Sequence, residues 1–189
     1  MVVGVLAVQG AVREHLDALG RVGADARPVR TAEEIASSAA LIIPGGESTT
    51  IGKLMARYGL LQPVRDLVAS GKPLLGTCAG MILMAKKIEA AAQDQPSLDL
   101  MDITVERNAF GRQIDSFEAD LDFAGVNGGP LRAVFIRAPI IAAVGPDVQV
   151  LATHEGRVVA VQQDRMLALS FHPELTADSR IHQYFLSLR

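Results

Sequence analysis

The sequence predicts a three-layer α/β/α domain on a mixed, mostly parallel sheet, and three observations carry that prediction. Short, continuous apolar runs alternate with amphipathic helical segments through the first half, the pattern of strand–helix units around a buried parallel sheet. The second half turns to short strand candidates separated by turn residues, which extends the sheet with more antiparallel members. The chain has 189 residues, 49% hydrophobic and 21% charged, enough to bury one core without disulfides or a structural metal. One domain spanning residues 1–189 is expected.

Residues 2–8 form an apolar run broken only by Gly4, suited to a strand buried on both faces. Val12, Leu16, Leu19 and Val22, with Arg13, Glu14, Asp17 and Arg21 between them, make an amphipathic helix. Residues 27–29 read as a short strand. Thr31, followed by Glu33 and Glu34, reads as a helix N-cap with acidic residues in the first turn. Residues 40–43 are a second buried strand, closed by Pro44-Gly45-Gly46, and a helical segment carries Leu54, Met55, Tyr58 and Leu61. Residues 73–76 are a third strand, and a helix is expected over 79–88. Further strands are expected at 103–106, 116–121, 133–136, 148–152, 158–162 and 166–170, then a terminal helix with Ile181, Tyr184, Phe185 and Leu188. Residues 88–98 and 125–130 read as exposed loops.

Charge and composition narrow the function. Lys and Arg total 18 against 21 Asp and Glu, a net charge of −3, which is no basic footprint for nucleic acid or for a membrane surface. The start, MVVGVLAVQG, has no positive n-region and no cleavage site, so a cytoplasmic location is expected. Four scattered histidines and one cysteine make no zinc-type cluster, and neither metal nor cofactor is expected.

That cysteine, Cys78, lies in Gly76-Thr77-Cys78-Ala79-Gly80, between an apolar strand and a helix. The pattern is that of a nucleophile elbow, whose sharp turn tolerates only small neighbours and sets the nucleophile at a helix start. There the thiol is favoured as a thiolate, and the Ala79 N–H points at a developing oxyanion. A plain buried cysteine is the alternative. A cysteine nucleophile needs a base. His172, in Ser170-Phe171-His172-Pro173-Glu174, is held extended by Pro173. Residues two apart then face one side, so Glu174 can orient the imidazole while its other nitrogen faces Cys78. The alternative for His172 is a structural histidine at a strand end. His15 and His182 read as helix-surface residues and His154 as a turn residue. Pro44-Gly45-Gly46-Glu47-Ser48-Thr49-Thr50 lacks the Lys of a phosphate loop. It suits an oxyanion loop in which a Gly45–Gly46 amide donates and Ser48 or Thr49 caps the next helix, with an ordinary turn as the alternative.

The G-T-C-A-G elbow, the P-G-G-E-S-T loop and the F-H-P-E segment resemble class I, triad-type glutamine amidotransferases. Val8–His15 (VQGAVREH), residues 106–113 (ERNAFGRQ), Asp115–Glu118 (DSFE) and 135–139 (FIRAP) are similar to glutaminase subunits of pyridoxal 5'-phosphate synthases. The resemblance covers nearly the whole chain and implies a class I glutamine amidotransferase-like fold. It also implies a catalytic triad of Cys78, His172 and Glu174 that hydrolyses L-glutamine to glutamate and ammonia through a thioester. By the same likeness Gly45, Gly46, Glu47 and Ser48 line the glutamine site, and Arg107, Ile136 and Arg137 hold its amino-acid end. Spacing alone reads those two arginines as solvated surface. The oxyanion group would comprise Gly45, Gly46, Ala79 and Gln9. The implied partner is the synthase subunit, which uses the ammonia to make pyridoxal 5'-phosphate and docks near residues 9–15, where Gln9 completes the oxyanion hole. Other readings are a glutaminase of histidine biosynthesis, a non-catalytic module, and a stress-related protein of the cysteine-elbow superfamily. The last places histidine after the nucleophile, where this chain has Ala79.

Overall fold

The computed structural model describes residues 2–89, 95–107 and 116–188. The first half builds strand–helix units: β1 (Val3–Leu6), α1 (Val12–Arg21), β2 (Ala26–Val29), α2 (Ala32–Ser37), β3 (Ala40–Ile43), α3 (Ser48–Arg57), α4 (Leu61–Ala69), β4 (Leu74–Thr77) and α5 (Ala79–Met84). The second half adds β5 (Ala85–Glu89), β6 (Met101–Glu106), β7 (Ser116–Leu121), β8 (Leu131–Ile136), β9 (Ile140–Val144), β10 (Gln149–His154), β11 (Arg157–Gln163), β12 (Met166–Leu169) and α6 (Arg180–Ser187).

The main sheet runs β2-β1-β3-β4-β12-β11-β9-β6-β5, with β10 paired to β11. It is parallel from β2 to β12 and antiparallel through β11 and β9. β3, β4 and β12 are buried along their whole length, as strands covered by helices on both faces must be. One apolar cluster packs α3, α4 and α5 on one face, through Ile51, Met55, Val64, Leu67 and Met81. The other packs Leu19 of α1 and Ile181 and Phe185 of α6, together with Phe135 from the separate β7–β8 hairpin.

Topology fixes where chemistry can occur. The last strand, β12, inserts beside β4 in parallel, pairing Leu169 with Thr77, while β3 pairs Ile43 with Gly76 on the other side. The C-terminal ends of three adjacent strands therefore deliver the 44–47 loop, Cys78 and the 170–174 segment to one place, the usual position for a site in an open α/β sheet.

Several expectations need correction. The helix over 79–88 ends at Met84, because Ala85 turns extended and β5 pairs in parallel with β6. The 88–98 loop is neither wholly loop nor wholly exposed. Ile88 and Glu89 belong to β5, Leu98 is buried, and residues 90–94 lie outside the described residues. Residues 54–61 span two helices, and β9 is a strand the sequence pattern does not predict. Thr31 does close a capping box with Glu34. By contrast, Glu47, not Ser48 or Thr49, caps α3, accepting the Thr49 and Thr50 N–H groups at 3.1 and 2.7 Å. His154 ends β10 before the Glu155-Gly156 turn, and its ring stacks on Phe117 and Phe135. The 125–130 loop is mostly exposed as expected, and Arg180 binds its carbonyls at Asn127, Gly129 and Pro130. Among the described residues, no helix is long and apolar enough to cross a membrane.

Candidate active site

Cys78 occupies the turn between β4 and α5 at φ 48°, ψ −100°, a left-handed conformation that non-glycine residues adopt at a cost of about 1–3 kcal/mol. Its N–H is anchored on Leu169 O of β12 at 2.8 Å. The flanking glycines show why the turn needs them. A Cβ on Gly76 would stand 2.5 Å from Met84 Sδ, and one on Gly80 would stand 2.1 Å from Ile43 O. As the first residue of α5, Ala79 has an N–H with no acceptor within the helix, directed at the turn that holds the thiol.

His172 lines the same cavity as Cys78, and its Nδ1 lies 2.7 Å from Glu174 Oε1. All three residues are buried, Cys78, His172 and Glu174 at 8%, 7% and 4% exposure respectively. The His172 backbone N–H is tied to Val134 O of β8 at 2.8 Å, so the β7–β8 hairpin steadies His172 from outside the sheet. Burial alone would push the imidazole pKa down. Hydrogen bonds to Cys78 and Glu174, with the negative charge of Glu174, outweigh it and hold the pKa up at about 10. Burial likewise opposes ionisation of Glu174, but the neighbouring His15 and His172 keep its carboxyl below the usual range. His172 is thus an imidazolium at neutral pH, held between a sulfur and a carboxylate.

A cavity of about 500 Å³ opens over Cys78, within the range of small-molecule sites. Gln9, Gly45, Gly46, Glu47, Ser48, Ala79, Arg107, Ile136 and Arg137 all line it with Cys78 and His172, and Glu174 stands behind His172. Gly45 is pressed against the imidazole, since a Cβ there would stand 2.3 Å from His172 Cε1. Its N–H donates to Thr77 Oγ1 at 3.0 Å, and its carbonyl accepts the Ala11 N–H at 2.9 Å. The planar peptide turns the Gly46 N–H away from Ala11. Gln9 Oε1 accepts the Glu47 N–H at 2.9 Å and so ties the loop to the start of α1. Arg107 reaches Gln95 Oε1 at 3.0 Å and Glu47 Oε1 at 3.5 Å. It is a cation set at the cavity, not a freely solvated surface arginine. Arg137 has φ 43°, a second strained residue on the rim. Residues 108–113 and Asp115 of the family-like segments lie outside the described residues.

Periodicity puts His15 and His182 on helix surfaces, yet both are fully buried. The buried stripe of α1 is His15, Ala18 and Leu19, and that of α6 is Ile181, His182 and Phe185, each rotated from the purely apolar stripe to take in a histidine. Thr77, Gln95, Ile82 and Leu175 also join the site or its support. Only Thr77 carries a signal in the sequence, as a polar residue inside the elbow. Among the described residues, no group of His, Cys, Asp or Glu could hold a metal ion.

This arrangement can carry out nucleophilic acyl transfer. It has a thiol on a strained turn, an adjacent proton carrier, an orienting carboxylate and backbone N–H donors beside the thiol. Comparisons with known proteins agree with that chemistry. The SNO glutamine amidotransferase family matches residues 5–188. A "Pyridoxal 5'-phosphate synthase subunit PdxT" from Acidothermus cellulolyticus is 58% identical over 191 residues, covering 98% of this chain and 92% of the relative. One from Dehalococcoides mccartyi is 54% identical over 189 residues, covering 100% and 97%. A crystal structure of a glutamine amidotransferase superposes with a TM-score of 0.94 at 52% identity, covering 100% of this chain and 98% of the other. The structure of PurLQS from Thermotoga maritima shares the fold at a TM-score of 0.69 and 16% identity, covering 98% and 97%.

Proposed function

The chain belongs to the SNO glutamine amidotransferase family, and from that premise we propose a specific reaction and partner for it. As one glutaminase domain over residues 1–189, working in the cytoplasm, it hydrolyses L-glutamine to glutamate and ammonia. The ammonia passes to the synthase subunit of a pyridoxal 5'-phosphate synthase, for vitamin B6 synthesis. One observation carries the reading: the buried line Cys78–His172–Glu174 ends in a cavity that also holds Arg107 and the 45–48 loop. The relatives' name as pyridoxal 5'-phosphate synthase subunits supports the partner.

In this mechanism Cys78 sulfur attacks the side-chain amide carbon of glutamine. The carbonyl oxygen takes up negative charge against the N–H groups of Ala79 and Gly46. The carbon–nitrogen bond then breaks, and nitrogen leaves with the proton that His172 already holds, giving ammonia and a γ-glutamyl thioester. His172 is now neutral and takes a proton from water as the water attacks the thioester. Collapse expels sulfur, releases glutamate and restores the imidazolium. Glu174 holds the imidazole through Nδ1 in both halves. Gly45, Gly46, Glu47 and Ser48 line the substrate site, with Gln9 bracing the loop. Arg107, with the Ile136–Arg137 segment, receives the α-carboxylate, for which a guanidinium offers a planar pair of donors.

The test supplies amide-15N glutamine to the chain mixed with the synthase and its sugar phosphates. The reading predicts 15N in pyridoxal 5'-phosphate. A complex that incorporates added ammonium but never glutamine nitrogen contradicts it.

A further inference from the structure

Behind the site lies a buried polar chain whose two histidines, His15 and His182, the proposed mechanism does not use. His15 Nε2 lies 3.5 Å from Glu174 Oε2 and 3.2 Å from Thr77 Oγ1, while His15 Nδ1 lies 3.1 Å from His182 Nε2. All four side chains are at or near zero exposure. Glu174 Oε2 and His182 Nδ1 have no hydrogen-bond partner, so His15 Nε2 at 3.5 Å is the polar group set closest to that carboxylate oxygen.

Two arrangements of the ring hydrogens are possible, and they differ in what each leaves buried. Suppose His15 carries its proton on Nδ1 and donates it to His182. Its Nε2 lone pair can take the Thr77 hydroxyl hydrogen but also faces the buried carboxylate, and His182 must bury an unpaired Nδ1–H. Both leave charged or polar groups unsatisfied, at the cost that burial imposes. Suppose instead that His182 donates its Nε2–H to His15 Nδ1. His15 then turns Nε2–H toward Thr77 Oγ1 at 3.2 Å and the carboxylate oxygen Glu174 Oε2 at 3.5 Å, and what His182 buries at Nδ1 is a lone pair instead of an N–H. The second arrangement is the one a buried carboxylate favours.

We propose that His15 and His182 are positioning residues of the glutaminase: His182 fixes the His15 tautomer, and His15 holds Glu174 Oε2 so that Oε1 stays aimed at His172. Thr77 joins this chain to the oxyanion loop, because the hydroxyl beside His15 Nε2 also accepts the Gly45 N–H. The charged and titratable groups facing the pair are Glu174 and His172 from the segment after β12, and Glu14 and Arg21 of α1. Burial, the largest influence on each ring, pushes both pKa values down, His182 to about 3, so both are neutral donors and acceptors, as that arrangement requires.

The inference rests on the glutaminase reading, and the two fail separately, because ring tautomers are read without turnover. Long-range 1H–15N NMR on the wild-type chain at pH 7 should show His15 and His182 each protonated on Nε2 alone. A proton on His15 Nδ1 overturns the proposal. With the synthase present, His15→Leu should lower kcat about tenfold, the worth of one hydrogen bond to a charged group. It should also move the acid limb of the pH profile upward, since a carboxylate that loses a donor protonates more readily. His15→Gln, which keeps an amide N–H at similar reach, should restore both. A His15→Leu enzyme with unchanged kcat and acid limb overturns the proposal, as does His15→Gln behaving like His15→Leu.

Discussion

His172 Nδ1 meets Glu174 Oε1 at 2.7 Å, with both side chains buried and two residues apart on one short segment. The 3-10 turn Pro173–Leu175 brings them together, so a single loop fixes both side chains. His172→Asn should fold almost as the wild type and lose turnover. Glu174→Gln should lower kcat by on the order of a thousandfold, because the imidazole loses its anionic partner. Glutamate release, alongside thermal melting by circular dichroism, checks both. Retained activity in His172→Asn would assign the proton transfers to another group.

Glycines near the site make separable predictions. Gly45→Ala pushes a methyl against an imidazole that Glu174 holds in place, so kcat should fall by about a hundredfold with little change in melting temperature. Gly80→Ala instead drives a methyl into the backbone carbonyl of Ile43 and should cost roughly 1–3 kcal/mol of stability. Denaturant unfolding and steady-state kinetics on the two variants should show opposite patterns.

The buried histidines set the acid limit of stability. The folded-state pKa of His182, about 3, lies below the unfolded value of 6.5, so the unfolded chain binds the extra proton. Its contribution is intact above pH 6.5 and is lost as pH falls from there toward 3, about 2 kcal/mol being gone by pH 5. The folded-state pKa of His15 is also lowered, which adds a loss of the same sign. His172 acts in reverse: its stabilising protonation is complete below 6.5 and is lost as pH rises through about 10. Urea unfolding at pH 7.5 and pH 5 should show the acid loss, and His182→Gln should flatten it. An equal pH slope in that variant would contradict the assignment.

Arg107 stands 3.5 Å from Glu47 at the edge of the cavity. If it receives the α-carboxylate, Arg107→Gln should raise KM for glutamine roughly tenfold to a hundredfold and change kcat much less. Arg107→Lys should recover part of the loss, keeping the charge but not the fork. A fall in kcat at constant KM would place Arg107 in the chemical step instead.

The parallel core is legible in the sequence because buried parallel strands are continuous apolar runs, and residues 40–43 can be read without their neighbours. The elbow and the His172-x-Glu174 pair are legible because their chemistry is local. What stays hidden is set by partners distant in the chain. Residues 85–89 become a strand through pairing with β6. His15 and His182 become core residues because α1 and α6 meet beneath the end of β4, 167 positions apart in sequence. Periodicity counts histidine as polar and so assigns both to the surface. Glu47 supplants Ser48 as the cap because its longer side chain reaches two N–H groups at once.

The decisive measurement is glutamate release from L-glutamine by wild-type and Cys78→Ala protein, each mixed with the synthase. Cys78 is the only cysteine in the sequence, so no second thiol can substitute. A thioester mechanism on Cys78 predicts rapid release by the wild type and none above background by Cys78→Ala, with binding to the synthase unchanged. Equal rates from the two proteins would contradict it.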